Sequence, residues 1–209
     1  MSAPQFYLAV LSLHCCFATL AFTAPLQGNS MELKQAVERG TSLIKKILND
    51  IPGVHDSCVT IEDLTLDTAK EAKNLEYMVT LLNIPRAPTL KALSEDFTLE
   101  MSLNRISDGV SLHQRLLTAV KKRVSPSDKL TNLLADVRDL LAQVQQMQKL
   151  AKVPAASQPQ TATDISSRLT GDYEVQVATH LTLKQLQSFG QDIFRTLRHI
   201  VLSKPSSSS

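Results

Sequence analysis

Residues 186–200, LQSFGQDIFRTLRHI, decide the fold class. Leu186, Phe189, Ile193, Leu197 and Ile200 recur at steps of three or four, which at 3.6 residues per turn aligns them on one side of a helix. Leu183 extends the stripe backwards and Val201 forwards. Arg195, Arg198 and His199 fall in the last turns, where positive side chains complement the helix dipole. A helix with one apolar side is not stable alone in water, so the rest of the chain has to cover it.

Composition favours helices as that cover. The 209 residues are 43% hydrophobic, with 6 glycines, 3 tyrosines and no tryptophan, which is poor material for sheets. A chain of this length buries a real core as one domain. Lys and Arg total 22 against 20 Asp and Glu, and a net charge of +2 makes no broad field for a phosphate backbone. No nucleic-acid partner is expected.

Residues 1–24 carry no charged side chain, and Phe6 to Phe22 is apolar apart from small polar interruptions and His14. That length suits a signal-peptide core better than a membrane span, with Ala21 and Ala24 as cleavage points. A removed secretory signal over 1–24 is expected, leaving 25–209 as one secreted, extracellular helical domain. No second long apolar run follows, so no stable membrane insertion is expected. Cys15 and Cys16 leave with the signal. Cys58 alone cannot close an internal disulfide and is expected either buried or as a site of dimerisation. There is no Asn-x-Ser/Thr sequon for an N-linked sugar.

Three more amphipathic helices precede the last. The first is predicted over 30–51, opened by a capping-box variant at Asn29 and Glu32 and stopped at Ile51-Pro52-Gly53. Leu33, Ala36, Val37, Leu43, Ile44, Ile47, Leu48 and Ile51 carry its stripe, and Gly40 within it marks a close helix crossing. Residues 52–94 form a long connection with its own amphipathic piece, ending at Ile84-Pro85-Arg86-Ala87-Pro88, where two prolines forbid a regular helix. The second helix is predicted over 94–124 from Ser94, with Glu95 and Asp96 in its first turn. Lys121-Lys122-Arg123 closes it as a dipole-matched end, a heparin or phosphate site being the lesser reading. The third, over 126–151, has Ser125 as cap, Pro126 at its first position and acidic Asp128 at its third. Residues 151–170 read as a flexible loop, the fourth helix spans 174–202, and 204–209 is a disordered tail.

Connection lengths then set the topology. The few residues between the second and third helices force them antiparallel, whereas links of about 43 and about 25 residues are long enough to return the chain to the same end. The expected architecture is all-α, an up-up-down-down long-chain four-helix bundle with two long crossover loops, the topology of helical cytokines.

No chemistry of catalysis is legible. The histidines at 14, 55, 113, 180 and 199 show no ligand spacing, no cysteine cluster accompanies them, and His113 reads as a satisfied packing histidine. No glycine-rich loop follows a strand, and no Ser, His and Asp share a nucleophile context. No enzyme, metal or cofactor is expected. What remains is surface. Lys34, Glu38 and Lys45 lie on the polar side of the first helix, and Asp136, Asp139 and Gln143 on that of the third. Each alone is a solvated helix face, and together they are candidates for a charged recognition patch.

Residues 186–200 also carry a family likeness. They closely resemble the last helix of the granulocyte colony-stimulating factor family of interleukin-6-like, long-chain four-helix cytokines, agreeing at Leu186, Gln187, Ser188, Phe189, Arg195, Leu197, Arg198 and His199. Ala178-Thr179-His180-Leu181 is similar, displaced by a short insertion. Ile84-Pro85-Arg86-Ala87-Pro88 resembles the segment before the family's second helix, Ala135 to Leu140 its third helix, and Cys58 with Glu62-Asp63-Leu64 its first long loop. The resemblance implies a secreted growth factor, monomeric when free, that binds and dimerises a class I cytokine receptor to stimulate granulocyte-lineage cells. It implies a larger receptor site on the first and third helices, centred on positions matched by Glu38, Asp136 and Asp139, beside which Lys34 and Gln143 lie on the same polar faces, and a second site at Glu62 or Asp63 with Ile165 nearest to an expected aromatic position. The family's two disulfides are not implied here, because Pro52, Ala92 and Ser102 occupy the other cysteine positions. Another interleukin-6-like cytokine is the near alternative, and a secreted lipid-carrying helical protein the distant one.

Overall fold

Each long apolar stripe of the sequence forms a helix. The computed structural model describes residues 25–66, 74–95, 97–154 and 165–202. Within them the chain is all-helical, with α1 (Pro25–Cys58), α2 (Asn74–Leu81), α3 (Leu99–Lys121), α4 (Asp128–Leu150), a 3-10 turn (Ile165–Arg168) and α5 (Asp172–Leu202). The expected signal over 1–24, most of the loop at 155–164 and the tail at 204–209 lie outside the described residues. Among those described, no helix is long and apolar enough to cross a membrane.

Several helix ends differ from the sequence expectation. α1 already includes Pro25 and runs through Asn29 and Glu32, so these do not open it. Nor does Pro52 end it. An interior proline costs about 3 kcal/mol, but Val54 and His55 beyond it are buried, and that packing carries the helix to Cys58. α3 begins after Thr98, whose hydroxyl accepts from Met101 N at 3.3 Å. Ser94 and Phe97 exchange backbone hydrogen bonds of 3.1 and 3.2 Å just ahead of it, committing groups that a helix from Ser94 would need. The cap of α4 is Ser127, accepting from Leu130 N at 3.3 Å, rather than Ser125.

Two helices end in Schellman motifs without glycine. Asn83 and Lys152 both adopt φ 54°, and the amides following them reach back, Ile84 N to Val79 O at 3.0 Å and Val153 N to Gln148 O at 2.8 Å. Past the second of these, Ile165 and Leu169 are buried, so the end of the expected flexible loop is packed.

α1 packs against α4 and α5, and α3 packs against the same two. Ile44 and Ile47 of α1, Leu103 and Ile106 of α3, Leu133 and Val137 of α4, and Leu186 and Ile193 of α5 meet in one core. A second cluster joins Met78 and Leu82 to Leu116, Ile165, Leu169 and Val177 on the outer side of α3 and α5. Three glycines sit where helices approach most closely. A Cβ on Gly40 would fall 2.5 Å from Met147 Cε, one on Gly109 2.2 Å from Phe189 Cζ, and one on Gly190 3.0 Å from Leu48 Cδ2. The close crossing expected at Gly40 is present.

Candidate functional site

The side that α1 and α4 share brings most of the sequence-selected polar residues together. Arg39 and Lys46 are seven apart, two helical turns, and both reach across to α4. Arg39 Nε donates to Gln143 Oε1 at 3.3 Å. With Gln35, Glu38, Ser42 and Leu43 they line a shallow concavity. Further along, the Lys46 ammonium pairs with Asp136 and also with Asp50 at 3.3 Å. The hydrogen bond that Lys46 donates to Asp136 is the largest influence on it, and it holds the ammonium above its ordinary pKa. Beside that pair opens a cleft of about 400 Å³, bordered by Asn49, Gly53, Lys129 and Asn132.

The individual placements differ. Lys34, Glu38 and Asp139 are exposed, and Gln143 and Asp136 are half-buried. Asp136, three residues before Asp139 and seven before Gln143, lies on the same stripe of α4. Its carboxylate is already engaged, which a reading of α4 alone does not reveal. Lys45 belongs elsewhere, because its ammonium sits 5.4 Å from the centre of the Phe194 ring of α5. Arg39 and Lys46 were missed in the sequence, although with Asp50 and Gly53 they share the edge of α1 that borders its stripe.

The second expected site is rearranged. Glu62 and Asp63 are exposed in a turn closed by Leu64 N to Ile61 O at 3.1 Å. Thr60 donates to Gln176 Oε1 from its backbone N at 2.8 Å and from its hydroxyl at 3.1 Å, tying this loop to α5. Ile165 is 1% exposed and cannot present itself to a partner. Tyr173, in the first turn of α5, is 53% exposed.

The histidines form contacts that linear spacing hides. His55 and His180, 125 positions apart, are both buried with Nε2 and Nδ1 at 3.0 Å. Burial pushes the His55 imidazole below its ordinary pKa, against a weaker upward pull from Asp56. His113 Nδ1 donates to Gly109 O at 2.7 Å, but its Nε2 is buried without a hydrogen-bond partner, so it packs without being fully satisfied. Burial lowers its pKa to about 4. Among the described residues no three His, Cys, Asp or Glu side chains gather as a metal site requires. Cys58 is a half-buried free thiol, Pro52 and Ala92 are exposed, and Ser102 is buried.

No protein-family model matches the chain, and no curated protein matches it. The chemistry of the α1–α4 face lies in its side chains. With carboxylates, amides and two bridging cations, it is equipped for recognition by charge and hydrogen bonding.

Proposed function

We infer that the chain is a secreted helical cytokine that acts by binding. It engages class I cytokine receptor chains, of the granulocyte colony-stimulating factor receptor kind, through the α1–α4 face and brings two of them together to drive proliferation and differentiation of granulocyte-lineage cells. Catalysis has no part in this reading. The carrying observation is the convergence of Glu38 and Gln143, 105 positions apart, on one concavity, beside the exposed Asp139.

The fold proper to such a ligand is the up-up-down-down four-helix bundle with two long crossovers, and the order of facing residues supports it. Ser57 meets Ser127, and Lys46 meets Asp136, while the Cβ position of Gly40 approaches Met147, so α1 and α4 run in opposite senses. His55 meets His180, and Gly40 also lies near Leu197, which opposes α1 to α5. Asn104 accepts from Gln148, near the start of α3 and the end of α4. These contacts support a bundle in which α3 runs with α1, and α4 with α5.

The second contact belongs at Glu62, Asp63 and the exposed Tyr173, which takes the role that buried Ile165 cannot fill. Reversing charge at Glu38 and Asp139 tests the first contact without breaking an internal pair. The expected result is loss of binding to the purified receptor ectodomain with the helical circular dichroism unchanged; undiminished affinity would exclude this face.

A further inference from the structure

One contact on the docking face joins two helices through a single exposed lysine. Lys46 bridges Asp50, one turn along α1, to Asp136 on α4. The lysine side chain is 54% exposed and Asp50 42%, so the bridge adds little to stability. Asp136 is different, with a side chain only 13% exposed. A carboxylate so far removed from water needs a counter-charge or hydrogen-bond donors, and Lys46 supplies them.

The neighbouring cleft leaves room for another supplier. Its border includes Gly53, where a Cβ would meet nothing closer than Lys129 Nζ at 3.7 Å. Asp50 and Asp136 border this same cleft, with Lys129 also on its rim, so a side chain arriving from solvent can reach both carboxylates. The long, exposed stem of Lys46 lets its ammonium swing out as a second cation arrives, at the cost of one weak surface pair.

We propose that Lys46 is a specificity-determining residue of the docking face: its ammonium is the resident occupant of a place that a cationic side chain of the partner takes on binding. This rests on the docking reading. In the free protein the face shows Glu38 and Asp139 to solvent, with Asp136 neutralised. Once Lys46 is displaced, Asp50 and Asp136 join them, and the acidic surface is complete only against a partner that carries its own cation. A partner without one leaves Lys46 paired in place and gains nothing from Asp50 or Asp136, which discriminates against it by the ion pairs it fails to make.

The test uses the full chain and the purified receptor ectodomain at low salt. Lys46→Met keeps most of the stem and removes the competing charge, so the dissociation constant should fall roughly two- to fivefold, the range of one exposed ion pair. In an Asp136→Asn background the same change should have a smaller effect, limited to the Asp50 pair, whereas a long-range charge effect would persist there in full. In the wild-type protein, nitrogen-15 NMR of the Lys46 ammonium should lose its coupling to Asp136 as receptor is added. Unchanged or weaker binding by Lys46→Met, or an ammonium that stays paired in the complex, overturns the proposal. If Glu38→Arg with Asp139→Arg still abolishes binding in that case, the docking reading stands without it; if that double variant binds normally, the docking reading itself has failed.

Discussion

His113 stacks on Phe189 across the α3–α5 interface, ring centroids 5.5 Å apart and planes 18° from parallel, while the Cβ position of Gly109 points into the same phenyl ring. The close approach of two helices is thus built on a glycine, an imidazole and a phenyl ring. Burial of the imidazole there and the tight fit at Gly109 lead to two expectations, one for acid and one for substitution.

The first consequence concerns pH. Burial lowers the folded His113 pKa to about 4 from an ordinary 6.5, so the unfolded chain takes up the proton first as pH falls. The stability contribution is whole above pH 6.5, declines through the interval down to about 4 and is gone below it. Its size is on the order of 3 kcal/mol from the width of that interval. His55, lowered in the same sense, adds to the loss. Urea unfolding at pH 7 and pH 4.5 should show the wild-type chain losing clearly more stability than His113→Gln; equal losses would remove His113 from the explanation.

Two glycines in helices should respond oppositely to alanine. At Gly109 the added methyl carbon falls 2.2 Å from Phe189 Cζ, and His113 stacks on the same ring, so Gly109→Ala should cost about 1–3 kcal/mol through overpacking. At Gly53 the nearest atom is the flexible end of Lys129 at 3.7 Å, so Gly53→Ala should stabilise α1 by about 0.5–1 kcal/mol through helix propensity. Denaturation midpoints measured side by side check the pair, and Phe189→Leu should recover part of the Gly109→Ala loss.

A third expectation separates the two serines before α4. Ser127→Ala removes the hydroxyl that accepts from Leu130 N and should cost about 1 kcal/mol, whereas Ser125→Ala should change stability by less than about 0.5 kcal/mol. Thermal unfolding of both variants decides between them. An equal cost would mean that the cap is shared.

The stripes were the most legible feature. Leu186, Phe189, Ile193 and Leu197 are buried as their spacing requires, and so are Ile44, Ile47 and Ile51. Helix ends were less so, because Pro52 breaks a helix on local grounds and is carried through by the packing of Val54 and His55 beyond it. Ser125 and Ser127 are chemically equivalent as caps, and the choice depends on which turn settles against the core. At the α1–α4 face Glu38, Asp139 and Gln143 could be picked from the polar sides of two helices. The pairing of Lys46 with Asp136, 90 positions away, could not.

Read by itself, the order of residues determined that this protein is made of helices and which side of each faces the core, because helical periodicity acts over a few residues and needs no distant partner. Only the tertiary structure decided that Asp136 is already paired, that Ile165 is hidden while Tyr173 is exposed, and that His55 finds His180. Each of these depends on which helix lies opposite and in what register, and that is settled by the packing of the whole core.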